Sequence, residues 1–560
     1  MRRHFISFLF FSLLFAYRYA VVVSEATYNL PEWRMVVDSL ANKHSAAVFR
    51  WTSSPRDVLP QLVSYFPDYV AFVARPVSEV NANFVRACHQ MTREFDSDPY
   101  GDAVWGIITG YTADDALRVI RFDSLLIRTF LGGTNCTWGD WLEKGIATYE
   151  AEYNRIRFHF PDRRILDTIW PERCPTDRCT LLVNYLNSGL NDSVPGRPRI
   201  SGPVDIFVTS GHADQHTWQL HYPSSGSEGF FRSSLGQLRG DPYSGSSRNV
   251  NSSNPKIYFP VGNCLMGDVS DMDCMVLAWF HSAGAIQMTG YIVTTWYGYM
   301  LWGLPAYFHL LQNRHNYAQA FYLNNQALIF DRINNTPGTN PSGLDYDKDN
   351  VAFYGDPACQ VKIYPVREPW YSESIAVRPG ERVDTFLVKI RANYDSSALG
   401  FSGVSGNRHP IVFLPVRVES VYVETTDAHQ VVITDNFVLL YVWYQGQRRF
   451  LRGEERFVRF TAKPIPVALA ERRDEGKVFW ITSGKFLFGE EPKLSFLLVK
   501  DGVYHLAVYN QEGRLLWQKR EKKRRGLYSL SLPEGLKSGV YFLIGRFGKE
   551  VIREKFLRLR

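Results

Sequence analysis

Between Trp33 and Ala74 the spacing of apolar residues changes period three times. Trp33 to Lys43 has helical spacing, and Ala46 to Trp51 is a short apolar run. Arg56 to Tyr65 is helical again, with Ser53 or Ser54 as its cap, and Tyr69 to Ala74 is a second apolar run. Helices and strands of this size, in alternation, fold as α/β units around a parallel sheet. The pattern continues with a strand at Ala103–Ile108, a helix at Thr112–Arg121, a strand at Leu125–Leu131 and a helix around Trp141–Arg155. Residues 171–200 and Pro223–Asn254 read as loops, the first rich in Pro, Asn, Asp and Gly, the second in Ser and Gly. Leu304–Phe330 reads as mostly helix.

Past Tyr354-Gly355-Asp356-Pro357 the character changes to alternating strands and turns, among them Asp384–Ile390, Pro410–Glu419 and Gln430–Tyr441, which indicates an appended β-sandwich. The charged stretch Glu471–Lys477 separates a last β unit. A length of 560 residues fits three or four folded units. The organisation expected is a signal peptide at 1–26, an α/β domain at 27–365 in two subdomains with a break near 125, an Ig-like sandwich at 366–470 and a small C-terminal β-sandwich at 480–560.

Composition narrows the class. Hydrophobic residues make up 45% and charged residues 21%, which excludes a disordered chain. The formal charge of +7 is modest for this length and the basic run Lys519–Arg525 is local, so no nucleic-acid partner is expected. Arg2, Arg3 and His4 precede an apolar run from Phe5 to Ala16, and Ser24-Glu25-Ala26 supplies small residues. That is a secretory signal pattern, too short for a comfortable span, so no transmembrane anchor is expected and the protein is placed outside the cell or on its surface. Seven cysteines leave at least one thiol outside any intrachain pairing, and Cys174 and Cys179 are close enough in sequence to pair.

Two apolar strands end in reactive side chains. Val204–Thr209 runs into Ser210-Gly211-His212, and Ile257–Val261 runs into Gly262-Asn263-Cys264. Ligand sites in open α/β sheets form at the carboxyl ends of strands. If these strands are neighbours, an imidazole and a thiol face one crevice. Such a histidine makes the thiolate available and can protonate a leaving amine. The N–H groups of Ala213 and Cys264 could hold an oxyanion. Against this stands the ordinary reading of a buried core cysteine and a loop histidine. His216 and His221 are nearby alternatives to His212.

The residues SGHADQHTW resemble the histidine motif of gingipain-type cysteine peptidases. GNCLMGDVSDMDCMVLAWFHSAGAIQMTGYIVTTW resembles their cysteine motif, in which Cys264, Gly267, Asp268 and Cys274 match the nucleophile, the following Gly and acidic residue, and the helix cysteine. AFYGDPACQVKIYP is similar to the family's G-D-P strand, and DPYGDAVWGIITGYTADDALRVI to its strand–turn–helix. The resemblance spans about residues 60–365 and implies a caspase-like, mostly parallel sheet flanked by helices. It implies an endopeptidase with a Cys264–His212 dyad, acting on protein or peptide substrates, with Trp296 walling the substrate pocket and no cofactor required for the chemistry. The family's His-Gly is His212-Ala213 here. Asp140 is the nearest candidate in order for the histidine's acidic partner, Asn135 is the alternative, and no residue matches the family's selector of basic side chains.

Two further signals remain. Asp345, Asp347 and Asp349 alternate in DYDKDN, a spacing that can collect carboxylates around a structural calcium ion, although Asn350 stands where a calcium loop has Gly. A solvated acidic turn is the competing reading. VYNQEGRLLW followed by LPEGLKSGVYFLIGRFGKEVIREKFLRL resembles a type IX secretion sorting domain, which implies that export machinery as a partner. The expected function is a secreted cysteine endopeptidase working through a thioester. The rivals are a catalytically inactive gingipain-like surface binding or scaffold protein, and a ligase or transpeptidase on the same dyad.

Overall fold

The computed structural model describes residues 17–465 apart from 135, 379, 396–402, 405, 407 and 443–449, and residues 479–559 apart from 482–485, 489–492, 499–501, 525, 532–538 and 548–549. The basic and apolar leader segment, Asn135 and Glu471–Lys477 therefore lie outside the described residues.

Twelve strands form one central sheet. In chain order they are β1 (Tyr19–Ser24), β2 (Ala47–Trp51), β3 (Tyr69–Val73), β4 (Val104–Ile108), β5 (Thr129–Gly132), β6 (Lys144–Thr148), β7 (Arg155–His159), β8 (Ile165–Ile169), β9 (Ile206–Thr209), β10 (Lys256–Pro260), β11 (Ala285–Tyr291) and β12 (Val351–Tyr354). Their spatial order is β2-β1-β3-β4-β12-β11-β10-β9-β5-β6-β7-β8. The run from β2 to β12 is parallel, and so is the run from β11 to β6. The two blocks meet antiparallel at β11 and β12. β7 and β8 close one edge as antiparallel strands. The sheet is thus mixed, with helices on its faces. Every residue of β3, β4, β9, β10 and β11 is buried, the pattern of strands covered on both sides.

Local chemistry places the flanking helices. Thr112 caps the helix Ala113–Ile120 in a reciprocal box with Asp115, and Ser54 does the same with Asp57 ahead of Leu59–Tyr65. Asn316 caps the long helix Tyr317–Asn334.

Four expectations need correction. Residues 19–26 are not leader: β1 lies in the interior of the sheet between β2 and β3, its residues buried, and Ser24 accepts from Thr27 N–H as a helix cap. The Val-rich run continued the apolar leader in sequence and so concealed a strand. The helix expected around 141–155 is β6 and the start of β7. A Cβ at Gly139 or Gly145 would sit 2.2 Å from the Phe130 ring, so the segment lies flat against β5. The loop expected at 171–200 contains the helix Cys179–Ser188, which buries Cys179, Leu182, Val183 and Leu186. The loop expected at 223–254 contains a hairpin, Phe230–Ser234 with Gln237–Asp241. Leu235 and Gly236, both at positive φ, make its two-residue turn.

Beyond β12, Tyr371–Arg378, Asp384–Ala392, Glu455–Pro464 and Val418–Thr426 form one antiparallel sheet, and Ile411–Phe413, Phe437–Tyr441 and Gln430–Ile433 a second. Alternate residues of Asp384–Ala392, namely Phe386, Val388, Ile390 and Ala392, are buried. Arg417 joins this unit to the α/β part. Its Nε meets Asp68 at 3.0 Å, and it donates to the Pro67 and Asp102 carbonyls at 2.9 and 2.7 Å. The last strands form a three-stranded and a five-stranded sheet. No helix among the described residues is long and apolar enough to cross a membrane.

Candidate active site

β9 and β10 are hydrogen-bonded neighbours and run parallel, with Thr209 level with Pro260. Their carboxyl ends therefore open on the same edge of the sheet. His212 stands three residues beyond the last paired position of β9, and Cys264 four beyond that of β10. The chains stay side by side past the strands, with Val261 N–H donating to the Thr209 carbonyl at 2.8 Å.

Asn263, wholly buried, fastens the two loops together. Its Oδ1 accepts from the Thr209 hydroxyl at 2.7 Å and its Nδ2 donates to the Gly211 carbonyl at 3.0 Å. The turns themselves are strained in the left-handed region. Gly211 has φ +94° and Leu265, immediately after the cysteine, φ +57°. A non-glycine residue held there costs of order 1 kcal/mol or more and persists only where its surroundings enforce it. Leu265 N–H donates to the Val293 carbonyl and Gly267 N–H to that of Tyr291, which holds the cysteine loop against the end of β11. Gly267 has no room for a side chain: a Cβ would lie 2.1 Å from the Gly290 carbonyl oxygen.

Cys264 is the one cysteine that is not buried. Its Sγ accepts from Thr295 N–H at 3.2 Å. The other six are free and buried, Cys174 and Cys179 included, so the pair open to disulfide formation in sequence stays unbridged. Burial pushes the Cys174 thiol up to about 11 and those of Cys136 and Cys274 to about 12. Inert, buried sulfur therefore accounts for every cysteine but one.

His212 is exposed, and its ring lies 4.9 Å from that of Tyr222. Among the described residues its side chain makes no hydrogen bond, to Cys264 or to any carboxylate. The alternatives are engaged elsewhere. His216 Nε2 meets Asp271 at 2.8 Å, and His221 Nδ1 meets Glu228 at 3.1 Å with its ring stacked on Tyr153. The N–H groups of Ala213 and Cys264 donate to no group among the described residues. Trp296 is 72% exposed and directly follows Thr295.

Asp140 does not face this edge. It is ion-paired with Arg157 at 2.5 Å, and Arg157 also meets Asp167. The carboxylate beside the histidine loop is Glu150, two residues past β6. It accepts from the Ser210 hydroxyl at 2.6 Å, its Oε2 lies 3.0 Å from where a Gly211 Cβ would stand, and its carbonyl accepts from Tyr222 N–H. No local sequence signal marks it, because Lys144–Thr148 reads as part of a helix and its strand end emerges only with the pairing to β5. Behind these loops Arg178 ties them together. Its side chain, 2% exposed, meets Glu228 at 2.8 Å and donates to the Gly133 carbonyl and the Thr148 hydroxyl at 2.7 and 2.8 Å, and also to the Leu220 carbonyl.

The acidic triplet expected to gather a cation diverges, because Pro341–Asp347 is a helix capped by Asn340. Asp345 meets Arg332 at 2.6 Å on the surface. Asp347 is buried and accepts from the Tyr291 hydroxyl and Met300 N–H at 3.0 and 3.2 Å. Asp349 pairs with Arg93 and Lys348. Among the described residues, the carboxylates that do converge are Asp96, Asp102 and Asp435, at the junction with the sandwich. Arg417 already pairs with Asp435 there.

No protein-family model matches the chain, and no curated protein matches it. Among solved structures, trypsin-activated alpha-2-macroglobulin from Escherichia coli aligns at 12% identity with a TM-score of 0.14, covering 37% of this chain and 14% of that one. A biofilm-associated protein BSP domain aligns at 13% identity with a TM-score of 0.12, covering 34% of this chain and 51% of its own. At these scores neither carries an argument about fold or function.

Proposed function

We propose that the chain is a secreted or cell-surface cysteine endopeptidase of the gingipain type, with Cys264 as nucleophile and His212 as proton shuttle. The observation that carries this reading is the buried Asn263 bridge, which fixes an exposed imidazole loop and the one accessible thiol on adjacent parallel strand ends. The sulfur attacks the scissile carbonyl carbon, and the imidazole takes the thiol proton and passes it to the departing amine. Water then cleaves the thioester. The uncommitted amides of Ala213 and Cys264 are placed on the two loops for the oxyanion. Trp296, exposed beside the sulfur's hydrogen-bond donor, offers a wall for a substrate side chain. Glu150 replaces Asp140 as the carboxylate available to orient the histidine. The sheet belongs in this reading to the caspase-like class, and the C-terminal unit to the sorting type handled by type IX export.

Hydrolysis of an internally quenched peptide library tests the proposal. Activity that disappears in both Cys264→Ser and His212→Ala supports it. Activity that survives either change contradicts it. A second reading, a non-catalytic binding or scaffold protein that kept the fold, draws on the His212 side chain, which among the described residues hydrogen-bonds neither Cys264 nor a carboxylate. Folded protein without turnover on any peptide favours that reading.

A further inference from the structure

The chain's positive charge is concentrated in its last unit. Residues 479–560 hold 17 Lys and Arg against 8 Asp and Glu, whereas the residues before them hold 46 against 48. The five-stranded sheet there turns one face inward, burying Tyr504, Leu506 and Val508 from Gly502–Tyr509 and Tyr541, Leu543 and Phe547 from Gly539–Phe547. Strand alternation points their neighbours outward. In that outer layer Arg520, His505 and Arg546 stand in one cross-strand row, and Lys522 lies opposite Val503. Arg520, Lys522 and Arg546 are exposed, and among the described residues none meets a carboxylate. On the same face Val503, opposite Lys522, is 40% exposed, and Phe542, paired with Tyr509 towards the other end of the strand, is 41% exposed.

We propose that this outer sheet face docks on an anionic, phosphate-bearing lipid surface. Unpaired cations alone would suit any polyanion. The exposed aliphatic and aromatic side chains that flank them on the same face decide between ligands. A headgroup layer offers phosphates for the cations and an adjoining acyl boundary for Val503 and Phe542, whereas an acidic peptide or a nucleic acid backbone would leave that apolar surface in water. Each Lys or Arg at such a surface contributes about 1 kcal/mol, and the attraction fades within a Debye length. The inference is independent of the peptidase reading.

Co-sedimentation of the full chain with vesicles tests it. Binding is expected to vesicles of phosphatidylcholine mixed with phosphatidylglycerol and not to phosphatidylcholine alone, and it weakens as salt rises. The triple change Arg520→Gln, Lys522→Gln, Arg546→Gln should weaken binding roughly a hundredfold, and Phe542→Ser should weaken it without altering the salt dependence. All four positions are exposed, so thermal unfolding should match the parent; a variant that fails this control is replaced by Arg546→Gln alone, for which about a fivefold loss is expected. Equal binding to neutral vesicles, anionic binding untouched by the charge changes, or capture of a poly-glutamate peptide or an oligonucleotide without vesicle binding would overturn the proposal.

Discussion

Asn263 Nδ2 donates to the Gly211 carbonyl at 3.0 Å, so the residue preceding the candidate nucleophile holds the residue preceding the candidate base. Its other end accepts from Thr209. Asn263→Leu keeps the volume and removes both bonds, so the Gly211 carbonyl loses its partner, while the Thr209 hydroxyl retains the Tyr258 hydroxyl at 3.0 Å. The loss costs about 1–3 kcal/mol when no water enters. Urea denaturation should show a loss in this range, and peptide turnover should fall further than stability explains. Unchanged turnover would mean that the two loops hold their places without the bridge.

Trp296 is exposed, so truncating it tests recognition apart from folding. Trp296→Ala should leave stability within about 0.5 kcal/mol. It should lower kcat/KM by about tenfold or more, a loss of about 1.4 kcal/mol, mainly through KM. Steady-state kinetics alongside thermal unfolding separates the two effects.

The buried Arg178–Glu228 pair supports the loops carrying Gly133, Thr148 and Leu220. Glu228→Gln removes one partner and leaves a buried guanidinium charge. A destabilisation of about 3–5 kcal/mol is expected, measured by denaturant unfolding.

Asp102 sets a pH dependence at the junction with the sandwich. Burial, then the neighbouring charge of Asp96, pushes its carboxyl up to about 8. The unfolded group titrates near 3.9. The folded state therefore holds a proton that the unfolded state loses. This contribution is full below the unfolded value and is lost as pH rises towards 8. Thermal midpoints should decline across that window, and Asp102→Asn, which retains the oxygen accepting from Phe95 N–H, should flatten the decline. An identical slope in the variant would place the dependence elsewhere.

Much of the α/β core was legible because its signals are local. The Thr112 and Ser54 caps sit beside the helices they start, and the apolar runs of β3, β4, β9 and β10 are short and sharply bounded. What escaped depends on contacts made at a distance. β1 is hidden because its valines prolong the leader's apolar run, and only pairing with β2 and β3 distinguishes it. The Phe230–Asp241 hairpin is masked by the Ser and Gly around it, although Leu235-Gly236 supplies its turn. Asp345, Asp347 and Asp349 suggested a loop, but the Asn340 cap and Pro341 start a helix that sends their carboxylates to Arg332, Tyr291 and Arg93. His212 and Cys264 were legible as strand-end residues. Glu150 was not, because only the packing of β6 beside β5 brings it to Ser210.

The pairing of sulfur and imidazole is tested most directly by the rate at which a peptidyl epoxide alkylates the folded protein, followed by mass spectrometry at each of the seven cysteines. The account predicts modification at Cys264 before any other thiol, slowed at least tenfold in His212→Ala while a His216→Ala variant keeps the parent rate. Alkylation of Cys264 at the same rate with and without His212, or first modification at a different cysteine, would contradict it.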